Sequence, residues 1–154
     1  MTTQIILYND NVGLNIVYPA LECGLTVEEI AQKDIPKEFE YRIVENTVLP
    51  ASGKFRQAWV STPDLTGVVV DFVKAKEVAH QMRRWAREKA LNPLDTLVNY
   101  NISNPTKLAE IEANRESIRI ANAELQIAID GASTVVELEQ LTDNINLNGL
   151  ASFN

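Results

Sequence analysis

LAEIEANRESIRIANAELQIAI, residues 108–129, spaces apolar side chains by alternating steps of three and four: Leu108, Ile111, Ile118, Leu125 and Ile129. Arg115 and Asn122 fall on the same stripe. An α-helix turns once in about 3.6 residues, so these steps stack the side chains along one face as a coiled-coil-like seam. The two polar members restrict what the seam accepts. A buried asparagine lowers stability but fixes register, and an arginine either carries its head to water along its aliphatic stem or meets a carboxylate of another helix. A lone helix of this kind is marginal in water, so the seam needs a partner. Two partners remain open: a second chain, giving an oligomeric coiled coil, or the preceding helix, giving an antiparallel hairpin. The residues expected to carry protein contact are Leu108, Ile111, Arg115, Ile118, Asn122, Leu125 and Ile129, with Met82 and Trp85 in support.

The flanks of this stretch are helical as well. Asn104-Pro105 supplies an N-cap and first-turn proline, and Asp130-Gly131 supplies a C-terminal glycine stop. Thr134 and Glu137 form a capping-box pattern ahead of Val135, Leu138, Leu141 and Ile145. Upstream, Asp71 is a candidate N-cap, and Ala75, Val78, Met82 and Trp85 recur at helical steps until Asn92-Pro93 breaks the pattern. Leu94–Tyr100 reads as a separate short turn of helix. Three helices are therefore expected, near 71–91, 105–130 and 134–145, followed by an Asn-rich tail, Asn146–Asn154, that reads as loose or partner-dependent.

The first sixty residues carry a different pattern. Gln4–Tyr8 is β-branched and aromatic, Asn9–Gly13 is a turn cluster, and Leu14–Tyr18 resumes the strand pattern, which together predict a hairpin. Pro19 ends it, because proline cannot donate to a ladder. Thr26 and Glu29 form a capping box for a short helix with Val27, Ile30 and Ala31 on one face, terminated by Pro36. Tyr41–Val44 is a strand, Pro50–Gly53 a loop, and Phe55–Val60 a further strand or extended segment. Period-two patterning gives way to helical period near residues 61–70, where the apolar Val68–Val70 reads as a strand or docking segment. The expected fold class is α+β, with a β-rich head over 1–66 and a helical region over 67–154.

Composition narrows the function classes. A hydrophobic share of 45% suits a folded chain, and a net charge of -7 argues against nucleic acid as a partner. Six basic residues (Lys74, Lys76, Arg83, Arg84, Arg87 and Lys89) cluster between Asp71 and Leu91, whereas no Lys or Arg follows Arg119. Trp85 within that cluster reads as a continuation of the apolar stripe, with the arginines facing water or acidic neighbours. The apolar runs are too short to span a bilayer, no secretory signal is visible, and a soluble protein without membrane contact is expected. One histidine, His80, sits among arginines and lacks the company a metal site needs. Cys23 stands beside Glu22 with no basic flank to activate it. Ser52-Gly53-Lys54 is too short for a phosphate loop. No catalytic residue, metal or cofactor is expected.

Several segments in consistent order carry a resemblance. They are Ile5-Ile6-Leu7-Tyr8, Gly24-Leu25-Thr26-Val27-Glu28-Glu29-Ile30-Ala31, Lys33-Asp34-Ile35-Pro36, Tyr41-Arg42-Ile43-Val44-Glu45, Phe55-Arg56-Gln57-Ala58-Trp59 and Val70-Asp71-Phe72-Val73-Lys74-Ala75. Over about residues 5–90 the chain resembles a group of small, mostly uncharacterised tailed-phage and prophage proteins that occur with tail-fibre and baseplate proteins. Ala51-Ser52-Gly53-Lys54 stands in place of that group's charged turn, and the match weakens after Leu91. The resemblance implies a β-rich head, a helical tail and a role in the phage tail, without catalytic residues. The function expected is a non-enzymatic tail structural protein of the virion that joins or decorates a tail-fibre or baseplate protein through its helices, with a homo-oligomer as one route. The alternative is a tail-fibre assembly chaperone acting in the host cytoplasm and not required in the virion.

Overall fold

The computed structural model describes residues 3–143 and 145, and the fold is α+β. The chain divides into two compact units, Met1–Asp71 and Phe72–Asn154.

The first unit is built on a three-stranded antiparallel sheet in which β1 (Gln4–Asn9) lies between β2 (Leu14–Val17) and β3 (Tyr41–Glu45). Leu7 faces both Ile16 and Arg42 across the two ladders. As the central strand, β1 is covered on both faces, which explains its unbroken run Ile5-Ile6-Leu7, each fully buried. Ile6 points to α1 (Val27–Asp34) and packs with Val27, Ile30, Ala31 and Ile35. Ile5 and Leu7 point the other way, toward Val68 and the half-buried Val44, Leu49 and Trp59. The hairpin turn is held by Asp10, whose Oδ1 accepts from the Val12 and Gly13 amides at 2.7 and 2.8 Å. The capping box at Thr26 is present in both directions: Glu29 N–H donates to Thr26 Oγ1 at 3.2 Å, and Thr26 N–H donates to Glu29 Oε2 at 2.8 Å.

The Phe55–Trp59 segment departs from the expected extended form. Arg56–Ala58 is a 3-10 turn that buries Phe55 and Ala58, and only then does β4 (Trp59–Ser61) begin. Arg56 lies over the Trp59 ring, 5.7 Å from its centroid. β4 pairs antiparallel with β5 (Val68–Val70). Their loop turns at Leu65, which is buried with φ 59°, a left-handed conformation uncommon outside glycine. Thr62, Asp64 and Thr66 hold that loop. Thr62 Oγ1 donates to Asp64 Oδ1 at 2.7 Å and accepts from the Gly67 amide at 2.9 Å, while Thr66 Oγ1 donates to Asp64 Oδ2 at 2.8 Å. Because β5 is paired within this unit, the boundary falls after Asp71 and not after residue 66.

The second unit comprises α2 (Phe72–Tyr100), α3 (Pro105–Gly131) and α4 (Val135–Asp143). The expected break at Asn92-Pro93 is absent: α2 runs through Pro93 to Tyr100 and absorbs the short turn expected over Leu94–Tyr100. Pro93 lacks the N–H that would bond the Lys89 carbonyl, but both residues are exposed, so water reaches that carbonyl. Ala86 is buried, and Ala90 and Leu94, on either side of Pro93, are half-buried.

α3 starts as expected, with Asn104 Oδ1 accepting from the Lys107 amide at 3.1 Å ahead of Pro105. Its end differs. Gly131 is still helical and not a left-handed stop, and the terminal carbonyls are met instead by Lys76, whose Nζ donates to the Asp130 and Ala132 oxygens at 3.0 and 3.1 Å. A cation there also complements the helix dipole. α4 ends at Asp143, short of the expected 145, and its capping box is displaced by one residue. Glu137 N–H donates to Thr134 Oγ1 at 3.2 Å, but the Glu137 carboxylate accepts from Ser133 N–H at 2.7 Å. The tail expected over Asn146–Asn154 lies outside the described residues.

Candidate protein-interaction face

α3 runs antiparallel to α2. The contacts descend one helix as they climb the other: Lys76 and His80 meet Asp130, Arg83 meets Asn122, and Asp95 meets Arg115. Of the two partners open to the seam, this structure contains the one within the chain, an antiparallel helical hairpin. Ile111, Asn122 and Ile129 are buried, and Leu108, Arg115, Ile118 and Leu125 are half-buried, so all seven seam positions face inward.

The deepest surface of α2 shares only Ala75 with the stripe read from the sequence. The deepest α2 positions are Ala75, Ala79, Arg83 and Ala86, while Val78, Met82 and Trp85 are only half-buried. Alanines let two helix axes approach closely, so the long α3 side chains fill the space that α2 leaves. Trp85 lies partly exposed, with Lys89 Nζ 5.7 Å from its ring centroid.

Arg83 is the second departure. Expected at the surface, it is 7% exposed and faces Asn122, itself 4% exposed. Arg83 Nη1 donates to Asn122 Oδ1, and Asn122 Nδ2 donates to the Arg83 carbonyl at 3.2 Å. Burial pulls the Arg83 guanidinium below its ordinary pKa, Arg84 and Arg87 act the same way, and Asp130 opposes them. Arginine nonetheless stays charged at neutral pH. This pair brackets the hairpin between side chain and main chain, which makes Asn122 the register-setting residue of an intrachain contact.

Arg115 resolves its own ambiguity by meeting a carboxylate across the seam. Its Nη2 lies 2.8 Å from Asp95 Oδ1 on α2, and Nη1 pairs with Glu112 on its own helix. At the lower end, His80 Nε2 stands 3.0 Å from Asp130 Oδ1, a packing contact with no second imidazole or thiol beside it. α4 closes the base with the fully buried Leu138 and Thr142; the Thr142 hydroxyl donates to the Leu138 carbonyl at 2.7 Å.

With the seam engaged, other apolar side chains stay open. Ile120 is 51% and Ile127 72% exposed, on the face of α3 opposite the seam. Ala109, Ala113 and Ala123 share that face and are exposed. At the closed end of the hairpin, Leu97, Tyr100 and Ile102 are also exposed, within an uncharged run from Thr96 to Thr106. The sequence held both signals, but the stronger periodicity of residues 108–129 masked the weaker stripe on the same helix.

Among the described residues no group of His, Cys, Asp and Glu is placed to hold a metal ion, and no helix is long and apolar enough to cross a membrane. A depression between α3 and α4, about 350 Å³, is lined by Ala128, Gly131, Ala132, Glu137, Gln140 and Leu141. Comparison with protein-family models, with curated proteins and with solved structures finds no match to this chain.

Proposed function

We propose that this chain is a non-enzymatic structural protein of a bacteriophage tail, located in the virion and joining or decorating a fibre or baseplate protein through its helical unit. The setting comes from the resemblance over residues 5–90. The observation that carries the assembly role is the set of apolar side chains left open once the seam is filled: Ile120 and Ile127 on α3, and Leu97, Tyr100 and Ile102 at the hairpin end. Exposed apolar side chains grouped on one helix face and at one end of a hairpin fit contact with another macromolecule. A partner reaches the seam residues themselves only by displacing α2, so the open faces are the more accessible contact.

An assembly chaperone is the second reading, favoured by the same open apolar residues combined with a net charge of -7, which keeps such a surface soluble. Mass spectrometry of purified particles separates the two. Stoichiometric presence in mature virions supports the structural role. Absence from virions, with co-purification of the unassembled fibre from infected cells, overturns it in favour of the chaperone.

A further inference from the structure

We infer that the outward face of α3 docks an amphipathic helix of a different chain, whose apolar ridge is flanked by lysine or arginine. The inference deepens the assembly reading above and rests on it. Ala109, Ala113, Ile120, Ala123 and Ile127 follow steps of four and three that pass through Glu116, giving a straight stripe along most of α3. Such a stripe fits another helix by knobs-into-holes packing, with large partner residues over the alanines and small ones over Ile120 and Ile127. Every apolar position on it is exposed.

Charge selects the partner. Glu110, Glu112, Glu116 and Glu124 border or interrupt the stripe. Two cations offset part of this charge, Lys107 at 3.0 Å from Glu110 and Arg119 at 3.2 Å from Glu116. Arg115 is shared between Glu112 and the inward Asp95, and Glu124 has no cation beside it among the described residues. The rim therefore presents net negative charge, which attracts flanking cations and repels acids. A second copy of this chain fits poorly. Antiparallel pairing with Ala113 opposite Ala123 brings Glu110 of each copy beside Glu124 of the other. Parallel in-register pairing stacks Glu116 on Glu116 within the stripe. Like charges so placed weaken association.

The test uses the full-length protein and two synthetic helical peptides of about three heptads, with identical Leu/Ala ridges and either Lys or Glu at the flanking positions. Binding is read by fluorescence anisotropy up to about 1 mM protein. The Lys-flanked peptide is expected to bind, the Glu-flanked peptide not. Ile120→Asp/Ile127→Asp is expected to weaken binding by at least about tenfold. Those substitutions make the protein more acidic, so attraction by bulk charge alone would hold or tighten binding and overturn the proposal. Absence of binding by the Lys-flanked peptide overturns it as well, as does equal binding of the two peptides. Sedimentation of the protein alone adds one more outcome: self-association abolished by the same variant would assign the face to a second copy. Ile120→Ala/Ile127→Ala, which retains helix propensity, repeats the measurement should the Asp variant lose helical signal. Virion mass spectrometry bears on the tail assignment and leaves these peptide results untouched, so the two can fail separately.

Discussion

Asn122→Ala should destabilise the helical unit out of proportion to the few atoms it removes. The asparagine amide is the acceptor for the buried Arg83 guanidinium, whose Nε has no hydrogen-bond partner of its own. Hydrogen bonds to charged groups contribute about 1.5–3 kcal/mol, and stranding a buried charge costs about 3–5 kcal/mol. The Asn122 amide also loses its donor bond to the Arg83 carbonyl, though that weaker link adds only about 1 kcal/mol. Some of the loss is recovered when the arginine head shifts toward water, so about 3 kcal/mol is expected. Urea unfolding followed by far-ultraviolet circular dichroism gives the total, and amide exchange across α3 locates it.

The control that gives this number meaning is the paired replacement Arg83→Met/Asn122→Leu. With both polar partners gone, no charge is stranded and the site becomes apolar, so stability should return to within about 1 kcal/mol of wild type or exceed it. Arg83→Met alone leaves the Asn122 amide oxygen unsatisfied and should cost about 1–3 kcal/mol. With Asn122→Leu measured as the other single variant, the double-mutant cycle yields a coupling of about 2 kcal/mol or more. Single losses that simply add, or an Asn122→Ala cost below about 0.5 kcal/mol, would refute the assignment of this pair as the lock of the hairpin.

Ile129→Ala, at a fully buried position, should cost about 2–5 kcal/mol in urea unfolding, whereas Ile127→Ala, 72% exposed and two residues away, should stay within about 0.5 kcal/mol. Asp64 should titrate near 2 in a carbon-detected NMR titration, because the Thr62 and Thr66 hydroxyls favour its ionised form. A folded pKa below the unfolded value of 3.8 stabilises the β4–β5 loop above that pH, and the contribution is lost as pH falls through about 2. Thr62→Val should move the titration back toward 3.8. Pro93→Ala should stabilise α2 by up to about 3 kcal/mol, since it restores a helical N–H at an exposed site; a loss of stability on thermal unfolding would show that the proline is needed where it stands.

The first unit was legible because its signals are local. Thr26 and Glu29 sit three apart and cap each other whatever surrounds them, and the run Ile5-Ile6-Leu7 marks a strand buried on both faces. The 3-10 turn at Arg56–Ala58 was not legible: Phe55, Ala58 and Trp59 match a strand in composition, and only packing around Phe55 decides the turn. In the helical unit the seam on α3 was legible and the α2 surface meeting it was not. Pattern reading gives weight to Val78, Met82 and Trp85, yet alanines are what permit close approach of two helices, and alanine carries little hydrophobic signal. Arg83 escaped for a related reason. A charged residue is assigned to the surface unless its partner is known, and that partner is 39 residues further along the chain. Pro93 misled because a helix breaker by propensity is tolerated when the carbonyl it orphans stays in water.

The two faces of α3 have separate consequences for function. Ile120 and Asn122 are two residues apart, about 200° around the helix, so one points out and the other points at Arg83. Substitutions at Asn122 or Ile129 act on folding first, and any loss of assembly they produce follows from a damaged hairpin. Ile120 and Ile127 are exposed, so their replacement by alanine is expected to leave hairpin stability within about 0.5 kcal/mol. The partner of this protein is therefore to be sought with outward-face variants, under conditions where the helical signal is unchanged. A partner whose binding tolerates Ile120→Asp/Ile127→Asp but is lost with Asn122→Ala would be reading the opened seam, and would require α2 to be displaced before it binds.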